Sequence, residues 1–270
     1  MSEELLKAII QLFAIVAKER ITDDERANIK EFLSLHLNQE AIRYYLNLFD
    51  EFVKVNRKMA SGDLGNVDEE TRQFVDDWAR IMQISKKVNQ ALTMQQKSVL
   101  VVKIIELVFA DGQISERQGN LIFYIGEALK IPLKDLQALR TFVIGQDSDE
   151  LNLRNILIID EGAGELHHGG PSIISKNLTG LIAVLRLADI ETYFVKYLGI
   201  TSLYLNSQQL KSRKVDVFPT GSTIRGSKIE PIYYSDIVGK FLLEESETEI
   251  SFPPFSDTVT FWSPALPLLK

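Results

Sequence analysis

The sequence predicts an α+β chain in two parts, an all-helical duplicated bundle followed by a small all-β sandwich. Three observations predict it. Apolar residues recur at three- and four-residue spacing from Leu5 to about Gly145, short β-rich runs take over after the polar linker "GQDSDE", and the helical part contains an internal repeat.

The first helix is marked by Leu5, Ile9, Leu12, Phe13 and Val16 on one face, and the second by Ile29, Phe32 and Leu33. Tyr45, Leu48, Phe49 and Phe52 repeat the spacing, as do Phe74, Trp78 and Ile81, and then Val101, Ile104, Ile105 and Val108. This periodicity gives about seven helices, with "ASGDLGN" at 60–66 as the longest loop. Helix starts agree with it. "TDDE" at 22–25, Thr93 with Gln96, and "SERQ" at 115–118 have the capping-box form, in which a hydroxyl caps the helix and a Glu or Gln three residues on reaches back. Pro132 suits the first turn of the helix holding Leu136, Leu139 and Phe142.

The β part is read from "NILIID" (155–160), "LIAVLRL" (181–187), "ETYFVKYL" (191–198), "LYL" (203–205), "VDVF" (215–218) and "PIYY" (231–234). Gly, Asn, Ser and Pro divide these runs, which is the signature of a sandwich or barrel. The boundary falls near residue 148, giving a helical domain at 1–148, a β domain at 149–250 and a Pro-rich tail at 251–270.

The length of 270 residues fits one or two domains, and a hydrophobic fraction of 45% supplies sizeable cores. A formal charge of −7 provides no global field for nucleic acid or anionic lipid. The absence of cysteine excludes disulfides, thiolate metal sites and cysteine nucleophiles, and agrees with a reducing compartment. The expectation is cytoplasmic. "MSEELLKAIIQLFAIVAKE" begins acidic and lacks a small-residue cleavage site, so it is a poor signal peptide. No apolar run approaches the roughly 20 residues that span a bilayer.

The repeat sets "AIVAKERITDDERANIKEFLSLHL" against "ELVFADGQISERQGNLIFYIGEAL". Ala17 falls on Ala110, Ile21 on Ile114 and Thr22 on Ser115 at one constant offset, so that helix, loop, capping box and next helix superpose. A pseudo-two-fold arrangement is expected. "ADGQIS" also invites a calcium reading, but aligning Gly112 with the turn glycine of an EF-hand puts Leu107 and Phe109 at ligand positions and Gln118 at the twelfth, which excludes it. The "ADGQIS" loop between amphipathic helices, with a diverged copy upstream, resembles the TerB-like helical domain of tellurite-resistance and related stress proteins over residues 5–145. That resemblance implies a metal-binding set of acidic residues. Asp111 and Gly112 are kept but Gln118 stands where a Glu belongs; upstream, Glu25 is kept but Lys18 stands where an Asp belongs. Two readings follow. Asp111 and Glu25 share a divalent metal ion across the pseudo-axis, or Asp111 caps a loop, Gly112 takes a positive φ, and Lys18 pairs with Asp111.

"GSTIRGSKIEP" at 221–231 has the glycine spacing of a phosphate loop, yet Ser227 precedes Lys228 and "IEPIYY" reads as strand rather than helix. It is read as a turn between two strands. The run "TYFVKYLGITSLYLNSQQLKSRKVDVFPTGSTIRG" resembles the later strands of a forkhead-associated domain, covering about residues 153–238. That family binds phosphothreonine through a Gly-Arg turn and a Ser-x-x-His motif; "EGAGELHHGGPSIISKN" supplies neither, and no site is carried over. The order of the two parts, ending in "GSTIRGSKIEPIYYSDIVGKFL", resembles the amino-terminal region of large bacterial ABC-transporter ATP-binding proteins. No Walker A sequence occurs in the chain.

The remaining candidates are structural in this reading. His167 and His168 diverge as neighbours and lack a third ligand, and His36 lies in a helical stretch. Asp76 and Asp77 are placed on a solvated helix face, and Lys211, Arg213 and Lys214 in a solvated hairpin loop. Tyr233, Tyr234 and Trp262 are candidate docking aromatics, or packing residues. The expectation is a non-enzymatic regulatory or scaffolding region that contacts an ABC-type ATPase domain in cis or trans, held at the inner face of the membrane by an attached transporter. The alternative is a free-standing metal-binding stress protein.

Overall fold

The structure, a computed structural model, describes residues 2–17, 21–34, 37–60, 69–162 and 170–250. Lys18, His36, His167, His168, Trp262, most of the "ASGDLGN" loop and the 251–270 tail lie outside the described residues.

Among the described residues seven helices come first: α1 (Glu3–Val16), α2 (Asp23–Ser34), α3 (Gln39–Ala60), α4 (Glu69–Ala91), α5 (Met94–Val108), α6 (Glu116–Ala128) and α7 (Leu133–Ile144). Helix α1 is apolar except for Glu3, Glu4, Lys7 and Gln11 and becomes the centre of the bundle, against α3, α4, α5 and α6; Ile10, Leu12 and Val16 are wholly buried. All three capping boxes form. Thr22 N donates to Glu25 Oε2 at 2.8 Å while Glu25 N donates to Thr22 Oγ1 at 3.1 Å, and Ser115 with Gln118 and Thr93 with Gln96 close the same ring. Gly126 lets α6 lie against α7, because a Cβ there would sit 2.5 Å from the Leu136 side chain.

Nine strands follow among the described residues: β1 (Ile156–Asp160), β2 (Ser172–Ile174), β3 (Leu181–Leu187), β4 (Thr192–Leu198), β5 (Leu203–Leu205), β6 (Gln208–Gln209), β7 (Val215–Val217), β8 (Thr223–Gly226) and β9 (Ile232–Tyr233). They make a five-stranded sheet in the order β2-β1-β3-β4-β7 and a four-stranded sheet in the order β6-β5-β8-β9. Among the described strands β1 pairs with β2 in parallel and the other pairs are antiparallel; β3 pairs with β4 over its whole length, from Leu181↔Leu198 to Leu187↔Thr192. Helix α8 (Tyr234–Ile250) follows β9.

Side chains alternate across the five-stranded sheet, and both faces are buried. Leu157, Ile159, Ile182, Val184, Val195 and Tyr197 face the second sheet, with Ile224 and Ile232 opposite and Ile237 and Phe241 of α8 closing the layer. Ile156, Ile158, Ala183, Leu185, Phe194 and Val215 join the helical core in one continuous cluster. The layers are therefore helices, sheet, sheet. This explains why β1, β3 and β4 read as unbroken apolar runs, since a strand buried on both faces has no solvent side to mark with polar residues.

Several expectations change. "GQDSDE" is a compact turn, with Gln146 N donating to Glu150 Oε2 at 2.7 Å, Glu150 N to Asp147 Oδ1 at 2.9 Å, and Leu151 wholly buried just beyond. The strand in "PIYY" stops at Tyr233 and a helix begins at Tyr234. Gly221, at φ +76°, makes the turn, but residues 223–226 of the phosphate-loop-like stretch are strand β8. Tyr234 packs on Tyr193 and Phe218, with ring centroids 5.4 and 5.6 Å away, so only Tyr233 of that pair stands exposed. Asp77 is not solvated; it is buried and accepts from Arg117 Nη2 of α6 at 2.8 Å.

Phe194, 1% exposed, lies where sheet and helices share a core. Phe194→Ala is expected to destabilise the chain by about 3–5 kcal/mol, read as a lower midpoint in a denaturant titration with unchanged slope.

Candidate functional site at the helix–sheet junction

Alternation along β4 puts Lys196 on the same face as Phe194, toward the helices. Its side chain is wholly buried, and Nζ donates to Phe142 O at 3.2 Å, Val143 O at 2.7 Å and Gly145 O at 2.6 Å. These carbonyls end α7, where the last turn lacks intrahelical partners and the helix dipole is negative. Three ammonium donors thus meet three orphan acceptors. Burial pushes the Lys196 ammonium down to about 8; Glu106 and Glu150 oppose that shift and Arg213 adds to it.

A second set of contacts docks the edge strand. Glu106 on α5 is buried; its Oε1 accepts from Val215 N at 2.7 Å and its Oε2 from Lys103 Nζ at 2.8 Å. Lys103 Nζ also donates to Val215 O at 2.9 Å. One i, i+3 ion pair therefore satisfies both polar groups of the Val215 peptide on β7, which would otherwise be an open sheet edge. Asn28 of α2 continues the network: Nδ2 donates to Glu106 O at 3.0 Å and Oδ1 accepts from Lys214 Nζ. Lys211 Nζ reaches Glu31 Oε1 at 2.6 Å. Burial raises the Glu31 carboxyl, but the Lys211 hydrogen bond and the charges of Lys211, Lys214 and Lys103 outweigh it and hold the group below its ordinary range. Burial also pushes the Asp216 carboxyl up. In the basic run 211–214, Lys211 and Arg213 are exposed, as a solvated loop requires, and Lys211 and Lys214 in addition clasp the β half to α2. Arg213 sits at φ 65° within the run, its N–H donating to Tyr197 O at 2.8 Å.

Between these contacts runs a groove of about 660 Å³, walled by α2 through Asp24, Asn28 and Glu31, by Phe109 with Ala110 and Gly112 of the "ADGQIS" loop, and by Arg213 and Lys214. A smaller cavity of about 140 Å³ adjoins it, sharing Asn28, Glu31, Glu106 and Lys214. Acids (Asp24, Glu31, Glu106) and bases (Arg213, Lys214) both line the groove, which suits ion pairing and hydrogen bonding to a polar chain.

Asp111 and Glu25 are placed differently. Asp111 is exposed on the loop, its Oδ1 accepting from Gln113 N at 3.4 Å, and Gly112 takes the positive φ of 80° that the sequence suggested. Glu25 is 1% exposed; Oε2 is committed to Thr22, and Oε1 has no hydrogen-bond partner among the described residues. Its repeat mate Gln118 has no such orphan, because Nε2 donates to Val16 O at 3.2 Å. Neither Asp111 nor Glu25 lines the groove. Among the described residues no group of three or more His, Asp and Glu is gathered to hold a metal ion.

A family model described as "Tellurite resistance protein TerB" matches residues 6–141, just over half of the chain. The chain belongs to the TerB family. The TerB match runs from α1 into α7 and includes Glu25, Glu106, Asp111 and Gln118, while Lys196, β7 and the clasp lie beyond it. TerB is a family of non-enzymatic domains. The search of curated proteins returned no match, and the search of solved structures returned none. No helix among the described residues is long and apolar enough to cross a membrane.

Lys196, Glu106 and Asn28 did not emerge from sequence reasoning. For Lys196 the available signal was a lone lysine in the apolar run "TYFVKYL".

Lys196→Met leaves three carbonyls without donors and is expected to destabilise the chain by roughly 2–4 kcal/mol at neutral pH. The folded pKa of about 8 lies below the ordinary 10.5, so the unfolded chain holds the extra proton between those values. The burial penalty is fully present below pH 8 and is relieved as pH rises toward 10.5. Stability of the wild type relative to Lys196→Met therefore climbs across that window by about 3 kcal/mol, measured by denaturant titration at a series of pH values. Glu25→Gln, which supplies the donor that Gln118 has, is expected to raise the unfolding free energy by about 1 kcal/mol in the same assay.

Proposed function

We propose that this chain is a non-catalytic regulatory or scaffolding module that works by protein contact, as the amino-terminal part or partner of an ABC-transporter-type ATP-binding protein. The observation that carries the reading is the shared core. The TerB helices and the five-stranded sheet have one hydrophobic cluster between them, and Lys196, Glu106 and the 211–214 clasp cross-link it. A contact made on the β side is then felt at α2, α5 and α7 as movement of one body. The junction groove, with its mixed charges, is the surface for a polar segment of the partner. The order of parts, and the likeness of 215–242 to the segment preceding ABC-type ATPase domains, supports the choice of partner.

The test uses ABC-type ATP-binding proteins of the source organism with the purified chain. Association at micromolar concentration, with a several-fold change in ATP turnover that Arg213→Glu abolishes, is the expected outcome. No association with any of them, or turnover indifferent to the chain, would remove the reading.

A second reading, a free-standing metal-binding stress protein, is favoured by one observation, the orphaned buried Oε1 of Glu25. It requires Asp111 and Glu25 to share a divalent ion. Calorimetry would then show binding lost in both Asp111→Ala and Glu25→Gln, and Glu25→Gln would weaken the metal-loaded protein.

A further inference from the structure

The bundle carries another cavity, of about 210 Å³, where α1, α3 and α4 meet, and it shares no lining residue with the junction groove. Two cations, Arg80 and Lys87, and three amides, Gln11, Asn56 and Gln83, line it, with no carboxylate among its described lining residues. In a chain of net charge −7 that is a local reversal of sign. Phe52 and Ile84 provide an apolar wall.

The arrangement is anchored. Asn56 Nδ2 donates to Ala14 O of α1 at 2.9 Å, which fixes the amide so that Oδ1 accepts from Arg80 Nη2. One guanidinium donor is thereby spent on orientation, and the others have no partner among the described residues. Arg80, Gln83 and Lys87 follow one face of α4 at helical spacing, so both charges and an amide point the same way along the cavity. Among the described residues Lys87 is engaged with Glu4 at 3.2 Å, with the two side chains 60% and 73% exposed. Such a pair is weak and readily exchanged for another anion.

Size decides the ligand class. Sites for drug-sized molecules run from about 300 to 1,000 Å³, and a water molecule takes about 30 Å³ of liquid. A cavity of about 210 Å³ has room for a phosphate-sized ion and some waters. We propose that this cavity binds a small oxyanion of phosphate size, held by the guanidinium of Arg80, with Lys87 as the second charge and Gln11 and Gln83 as amide donors.

The test titrates the whole chain with inorganic phosphate in a calorimeter, ionic strength being held constant with chloride, and repeats it with phosphoserine. Saturable binding at one site per chain is expected, weakened about tenfold or more by Arg80→Gln and to a smaller degree by Lys87→Gln. The side-chain amide resonances of Asn56 and Gln83 shift on binding. Phosphate binding without phosphoserine binding assigns the free ion; equal binding of both assigns a phosphate carried on a larger molecule. Lys87 is exposed, so Lys87→Gln folds whatever the fate of Arg80→Gln, and circular dichroism checks both. No saturable binding of either probe, or affinity unchanged in folded Lys87→Gln and Arg80→Gln, overturns the proposal.

Discussion

The ammonium of Lys196 is the interaction on which the architecture turns. Its position on the helix-facing side of β4 places a charge in an otherwise apolar layer, and such a charge is tolerated only where all of its donors are matched. The end of α7 supplies that match in Phe142, Val143 and Gly145. From this follow the direction in which α7 ends, the tight turn through residues 145–151 and the seating of the sheet beneath the bundle. A smaller version of the device occurs inside the bundle, where Lys97 of α5 donates to Leu129 O at the end of α6 and to Asn89 Oδ1. Burial pushes that ammonium down as well. Buried lysines at helix ends set the crossing of elements here, and apolar packing fills the space between them.

Much of this could be read in the amino-acid order. Helical spacing marked α1, α2, α3, α5 and α7, because each buries one stripe or more against its neighbours. The boxes at Thr22, Thr93 and Ser115 marked helix starts, because a hydroxyl and a Glu or Gln three residues apart satisfy the same orphan donors wherever they occur. Strands β3 and β5 fell on the predicted residues. The short strands β2, β6 and β8 escaped notice: two to four residues paired on a sheet edge or in the small sheet carry too little pattern. The helix at Tyr234 escaped because Ile232, Tyr233 and Tyr234 favour strand locally, and only burial of Ile237 and Phe241 against the second sheet holds the helix.

The site was less legible than the fold, for a physical reason. Lys211, Lys214, Asn28 and Glu31 are ordinary surface types, and their roles depend on a sheet edge and a helix meeting across 180 and 186 residues of chain. No local spacing records that meeting. The unbroken apolar runs "ILIID" and "LIAVLRL" did contain the decisive hint, since strands without alternation need cover on both faces and a lone sandwich covers only one. Read so, the β half cannot stand apart from the helices. The TerB unit then has a fixed orientation on the sheet, which is what a module that passes on position by contact requires.

Native-state hydrogen exchange tests this most directly. If the helices and the five-stranded sheet are one cooperative unit, the slowest amides of α5 and α7 and those of β3 and β4 exchange through a single opening with a common free energy. Helical amides that open at a lower free energy while β3 and β4 stay protected would contradict it, and would make the bundle and the sandwich two independent bodies.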